Sequence, residues 1–324
     1  MALAWNAWPK RGWGVRLAAG CLALLCGALA PVWAQPAEEG RPPEAEEDRE
    51  QEAEEARRAL EIFLREQRVI FHSGELALEL DTFYSTDTRD QFVRTASRGA
   101  ALARFTTRTV TTFLIPRLGL LDRLELDLFL PFGYAEQETD LGVTRLRREE
   151  AGLGDVAGRL RYQLWYELGA RPDLIVELDV RAPTGEEPLL GTGHWNVGGG
   201  VALVKTLDPV VFFGRLGYLV TLERAGRDPG DQLLYQVGMG YSFNDRVSYD
   251  MRVTGAVVGR RAQEGRTVPR SSLDIISLQF GVTVRVTRRL FVEPVVALGL
   301  TNDAPDVIVG VSLPFTKLRE GRGR

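Results

Sequence analysis

From Gly74 to Phe315 the chain alternates apolar and polar residues with a period of two, and the links between runs alternate between short and long. Leu124, Leu126, Leu128 and Leu130 alternate with Glu125, Asp127 and Phe129. Leu174, Val176, Leu178 and Val180 alternate with Ile175, Glu177, Asp179 and Arg181. Val247, Tyr249, Met251 and Val253 alternate with Ser248, Asp250, Arg252 and Thr254. A period of two is that of a strand whose side chains point to opposite faces, so each run carries one apolar and one polar face. About twelve strands, within two either way because the second run is ragged and the sixth glycine-rich, are expected, near 75–84, 103–117, 123–134, 153–166, 173–183, 196–206, 210–223, 231–243, 247–258, 272–285, 290–300 and 306–315.

The links narrow the architecture further. Short turns follow even strands, at Leu121-Asp122, Gly169 to Pro172, Asp208-Pro209, Asn244-Asp245-Arg246 and Thr287-Arg288. Longer, more polar links follow odd strands, at Ser85 to Gly99, Ala135 to Glu150, Gly185 to Trp195, Arg224 to Gly230 and Gly259 to Arg270, with a shorter one at Thr301 to Pro305. This alternation belongs to membrane barrels with periplasmic turns and extracellular loops. A soluble barrel of this size would have to fill a wide lumen with apolar side chains. Turned outward, the same apolar face meets hydrocarbon, and closure removes the strand edges. The expected fold is therefore all-β: a transmembrane antiparallel up-and-down β-barrel of about 12 strands with a short N-terminal helical extension. Phe132, Tyr134, Tyr166, Phe212, Tyr241, Phe243 and Phe315 lie near strand ends, as interfacial aromatic girdles do. The competing reading makes them ordinary core aromatics.

Residues 1–34 read as a signal peptide: Lys10, Arg11 and Arg16 precede an apolar stretch, and Val32-Trp33-Ala34 supplies a cleavage site, the alternative being an uncleaved anchor over Leu17 to Ala34. Residues 35–71 read as an acidic periplasmic helical or linker extension, residues 72–315 as the barrel and residues 316–324 as a C-terminal tail. In the extension, Ala53, Ala56, Leu60, Phe63 and Ile70 have heptad-like spacing. That stretch reads either as a solvated charged linker or as a homo-oligomerisation helix.

Composition removes several classes of chemistry. A net charge of −4 carries no basic excess, so no nucleic-acid partner is expected. Both cysteines, Cys21 and Cys26, fall within the signal segment, which leaves the mature chain without thiol chemistry. The two histidines, His72 and His194, have no serine beside them in a recognisable motif, so an outer-membrane hydrolase is disfavoured. No catalytic residue, metal site or cofactor is expected. Asp303 and Asp306 read as turn formers around Ala304-Pro305 rather than as calcium ligands.

The polar faces point to the interior. The turn between the fourth and fifth strands is centred near Ala170, which sets Tyr162 opposite Leu178 and Leu164 opposite Val176 on the lipid face. The same register sets Arg161 opposite Asp179, Arg159 opposite Arg181 and Gln163 opposite Glu177 in the lumen. A one-residue slip would put charges into lipid. The expected lumen-lining set is Arg159, Arg161, Glu177, Asp179, Arg181, Arg215, Asp250, Arg252 and Glu293. Mixed charges of this kind either orient a passing solute or pair with one another and fill the lumen.

The stretch from Gly74 to Phe315 also resembles a known family. The resemblance is carried by Leu153-Gly154-Asp155-Val156, Pro183-Thr184-Gly185, Leu190-Gly191-Thr192-Gly193-His194-Trp195, Asp228-Pro229-Gly230-Asp231, Tyr241-Ser242-Phe243-Asn244-Asp245-Arg246 and Thr301-Asn302-Asp303-Ala304-Pro305-Asp306. These resemble the outer-membrane transporters associated with the meta pathway of phenol degradation. The resemblance implies an outer-membrane location in a Gram-negative bacterium and a transport or channel role. The expected function is a channel or transporter for small solutes, aromatic or hydrophobic, with a charged lumen. The alternative is a structural, plugged barrel. The expected partners are the lipid bilayer and lipopolysaccharide, the outer-membrane assembly machinery and a small-molecule solute, with both chain ends in the periplasm.

Overall fold

The computed structural model describes residues 70–95, 99–141, 145–185, 189–244, 246–269, 271–287 and 290–317. The signal segment and nearly all of the acidic extension lie outside the described residues.

Twelve antiparallel strands follow one another around a closed ring. They are β1 (Leu76–Thr95), β2 (Gly99–Leu121), β3 (Leu124–Asp140), β4 in two segments (Arg145–Leu153 and Ala157–Trp165), β5 (Asp173–Arg181), β6 (Asn196–Leu207), β7 (Val210–Thr221), β8 (Gln232–Ser242), β9 (Val247–Val258), β10 (Leu273–Arg285), β11 (Phe291–Gly299) and β12 (Val307–Lys317). The ring closes between the first and last strands, with Leu76 opposite Lys317 and Thr86 opposite Val307. Closure leaves no free edge in the ring, as a sheet of this length requires. Among the loops, Arg227–Asp228, Ala262–Gln263 and Arg266–Thr267 form a small sheet of their own.

The period of two maps onto two faces. In β5, Ile175 and Glu177 are buried on the inside while Val176, Leu178 and Val180 face out. In β7, Val211, Phe213 and Leu219 point in, and Phe212, Leu216, Tyr218 and Val220 point out. The outer face is thus an apolar belt around the closed ring. The seven aromatics expected at strand ends are all exposed on it. Phe243 is 64% exposed and Phe132 51%, which overturns the core reading for them. Tyr241 and Phe243 pack edge to face at 5.1 Å.

Two expectations need correction. The stretches 85–99 and 135–150, expected as loops, are largely strand. β1 and β2 stay paired from Leu76 through Thr95, and β3 pairs with the first segment of β4 up to Asp140 opposite Arg145. This wing is held by cross-strand charge pairs rather than by apolar alternation, so hydropathy read it as loop. Arg108 and Arg147 both reach Glu136 at 3.2 Å, and Arg145 reaches Asp140 at 3.2 Å. Arg104 donates two hydrogen bonds to Asp90, at 2.9 and 3.2 Å, which hold the Asp90 carboxyl below the usual carboxylate range.

The register of β4 on β5 is also shifted by two residues from expectation. Arg159 stands opposite Asp179, Arg161 opposite Glu177, Tyr162 opposite Val176 and Gln163 opposite Ile175. Arg181 stands opposite Ala157. The tight turn closes with Leu168 opposite Arg171 around Gly169, whose φ of 57° suits glycine, and a bulge between Gln163 and Trp165 takes up one more residue. A shift of two keeps every side chain on its expected face and changes only its neighbours.

Candidate functional site

Inside the barrel many of the charged side chains form a belt. Its centre is Glu177, 3% exposed in its side chain, against which three arginines converge. Arg161 Nε lies 3.6 Å away, Arg159 Nε 4.0 Å, and Arg215 Nε donates a short hydrogen bond to it. Asp179 holds Arg159 at 2.6 Å and Arg215 at 2.9 Å. On β3, Glu125 is fully buried, accepts from Arg161 at 3.1 Å, and accepts the backbone N–H of Phe71 at 2.6 Å. Asp127, one step along, lies 3.9 Å from Arg161 and directly opposite Arg117. Arg117 pairs with Glu79 at 3.0 Å, and the Ser312 hydroxyl lies within hydrogen-bond reach of both Glu79 and Asp81. The contacts thus form two groups, one from β12 through β1 to Arg117 on β2 and one from β3 through β4 and β5 to β7, which meet where Arg117 stands opposite Asp127. Buried charges persist where each is paired and hydrogen-bonded, because desolvation would otherwise expel or neutralise them.

Glycine makes the widest step possible. Arg215 reaches β5 from β7 across β6, whose inner positions facing Glu177 and Asp179 are Gly200 and Gly198. A side chain at either position would close the gap.

The nine residues expected to line the interior divide into three sets. Arg159, Arg161, Glu177, Asp179 and Arg215 come together in the belt. Asp250 and Arg252 pair with each other at 2.6 Å on β9, and Glu293 on β11 stands opposite Ser312. Arg181 is set apart, in a cavity described below. Glu79, Asp81, Arg117, Glu125 and Asp127 belong to the belt and were missed. The alternation of Glu125 and Asp127 with leucines was a usable signal for two of them. Arg117 lay hidden in β2, whose run of threonines blurs the alternation.

Beyond the belt, toward the long-loop end, lies a cavity of about 450 Å³. Phe113, Phe129, Pro131, Leu219 and Leu234 supply apolar wall, while Arg159, Asp179, Arg181 and Asn196 supply polar groups. One side is built by three of the motifs noted in the sequence. Asp155 accepts hydrogen bonds from Gly185 N (3.0 Å), Thr192 N (2.8 Å) and Thr192 Oγ1 (2.6 Å). Thr184 Oγ1 donates to Gly154 O at 3.0 Å and accepts from Val156 N at 2.9 Å. Gly185 and Gly191 cross so closely that a Cβ on Gly191 would lie 2.4 Å from Gly185 O. The loop is thereby folded inward, with the Leu190 side chain against Gly133 and its carbonyl, like the Pro131 ring, close to Gly154.

The remaining motifs are also structural. His194 is buried with Nδ1 3.1 Å from Leu222 O, and His72 lies exposed near the first strand. Asp303 accepts from Asp274 N at 2.9 Å and Asp306 from Thr88 N at 3.1 Å, so both tie loops to neighbouring strands. Asn244 caps the Arg246 and Val247 amides at 2.8 and 2.9 Å.

A closed antiparallel barrel of twelve strands, apolar outside and charged inside, defines the class of this protein. Residues 85–316 match the family described as "Putative MetA-pathway of phenol degradation", and the chain belongs to that family. Among solved structures, an outer membrane channel from Pseudomonas putida F1 is 17% identical, with 76% of this chain and 97% of that chain covered and a TM-score of 0.60. The CymD monoaromatic hydrocarbon channel is 11% identical, with 78% of this chain and 90% of that chain covered and a TM-score of 0.42.

Proposed function

We propose that the protein is an outer-membrane channel that passes small aromatic or hydrophobic solutes through a charged lumen, and that it is not an enzyme. The observation that carries this reading is the apolar outer face of a closed ring whose interior is polar and contains a cavity. In water, so much exposed leucine, valine and aromatic surface would drive aggregation, whereas in a bilayer it is solvated. The short-turn end, where β1 begins and β12 ends, is then periplasmic, and the charged wing of β1 to β4 projects outside the cell. Lipopolysaccharide and the assembly machinery are the expected partners of such a barrel.

A second reading, a plugged structural barrel, is favoured by the closely paired belt and by buried Ile70 and Phe71, the latter bonded to Glu125 on the inner face. Membrane fractionation with a heat-modifiability gel tests the barrel, and planar-bilayer recording separates the two readings. Discrete conductance steps support the channel. A heat-shifting outer-membrane protein without conductance or solute flux supports the plug, and recovery in the soluble periplasm rejects both.

A further inference from the structure

Arg181 and Asn196 stand directly opposite each other on β5 and β6, and both line the cavity. Side chains of directly opposed residues begin about 5 Å apart, so one small group can touch both. Among the described residues, the Arg181 side chain has no hydrogen-bond or ion-pair partner. The nearby carboxylates are already committed: Asp179 to Arg159 and Arg215, and Asp155 to the amides and hydroxyl of the inward loop.

Asn196 is 1% exposed, and its Oδ1 has no partner. The orientation of its amide is set by a neighbour. Thr221 donates its single hydroxyl proton to Gly230 O at 3.0 Å, so it can only accept from Asn196 Nδ2, at 2.6 Å. The carbonyl oxygen of Asn196 is therefore a buried acceptor awaiting a donor, beside an arginine awaiting an acceptor.

We propose that this pair forms a subsite for the hydroxyl group of an aromatic solute, with the ring against Phe113, Phe129 and Pro131. The proposal rests on the channel reading and names the chemistry of what the channel selects. A hydroxyl oxygen donates to Oδ1 while its lone pair accepts from the guanidinium, so one atom satisfies both groups. A carboxylate satisfies Arg181 but turns lone pairs toward Oδ1. An ammonium group meets the arginine charge, and a hydrocarbon leaves both polar groups unpaired.

The test is calorimetric titration of the full-length protein in lipid nanodiscs with 4-methylphenol, with para-xylene, which replaces the hydroxyl by a methyl, and with 4-methylbenzoate. The Arg181→Met and Asn196→Leu variants are compared with the unmodified protein, so partition into lipid cancels. We expect each substitution to reduce the preference for 4-methylphenol over para-xylene by about tenfold, with para-xylene binding no weaker than in the unmodified protein. An unchanged preference in Arg181→Met overturns the proposal. So does tighter binding of 4-methylbenzoate than of 4-methylphenol to the unmodified protein, which would mark a simple anion site. The Arg181 side chain makes no hydrogen bond or ion pair among the described residues, so Arg181→Met decides the matter if Asn196→Leu, which loses its bond to Thr221, fails to fold. Bilayer recording of the same preparations separates the two ideas: selective binding without conductance keeps the subsite and rejects the channel, and conductance without selectivity does the reverse.

Discussion

Arg215 and Asp179 meet at 2.9 Å although the whole of β6 lies between their strands. The contact exists because the inner positions Gly198 and Gly200 carry no side chain. A Cβ on Gly198 would lie 2.0 Å from Tyr218 O and 2.7 Å from Leu219 Cα, whereas one on Gly214 would come no nearer than 3.6 Å to any such atom. Gly198→Ala is therefore expected to cost about 1–3 kcal/mol more than Gly214→Ala. Urea titration of the barrel folded into vesicles measures the difference, and equal costs would mean that β6 can shift to make room.

Glu177 holds three arginines at once, so its neutralisation strands more charge than the removal of any one arginine. Glu177→Gln is expected to destabilise the barrel by about 3–5 kcal/mol, the range for breaking a buried pair from one side. The heat-shift midpoint on a gel should fall well below that of Arg215→Gln.

If the belt borders an open path, removing positive charge from it changes which ions pass. Replacing Arg159 and Arg161 with glutamine should move reversal potentials toward cation selectivity in a salt gradient. Unchanged selectivity with a lower thermal midpoint would instead assign the belt to filling the barrel.

The outer face predicts a dependence on depth. Leu178 lies mid-strand and is 51% exposed, while Leu121 lies at the end of β2 and is 61% exposed. Leu178→Arg should cost about 2–4 kcal/mol in a bilayer and Leu121→Arg only about 0–1. Folding yields in vesicles of defined thickness report both, and a similar cost at the two sites would contradict the proposed membrane position.

The wing should behave differently from the belt. Arg145 is 74% exposed in its side chain and Arg147 58%, and solvent screens their ion pairs. Alanine at either position is expected to change stability by about 0–1 kcal/mol. A large loss would show that the wing carries structural weight in the barrel.

Local pattern determined most of the architecture. Period-two alternation located most of the strands, least clearly threonine-rich β2 and glycine-rich β6, and the parity of each run assigned leucines outward and charges inward, because neighbouring residues on a strand must face opposite ways. Alternating link lengths ordered those strands into a meander. Three things awaited the tertiary structure. The wing was invisible because charge pairs between strands leave no apolar rhythm in either strand. The partners on β4 and β5 depended on a bulge near Leu164, a feature of hydrogen-bond geometry rather than of residue type. The juxtaposition of Arg181 with Asn196, and the hold of Thr221 on that asparagine, depended on the registers of β5 on β6 and of β6 on β7. Side chains distant in the chain, each unremarkable in its own strand, acquire a joint chemistry only when the sheet fixes their spacing.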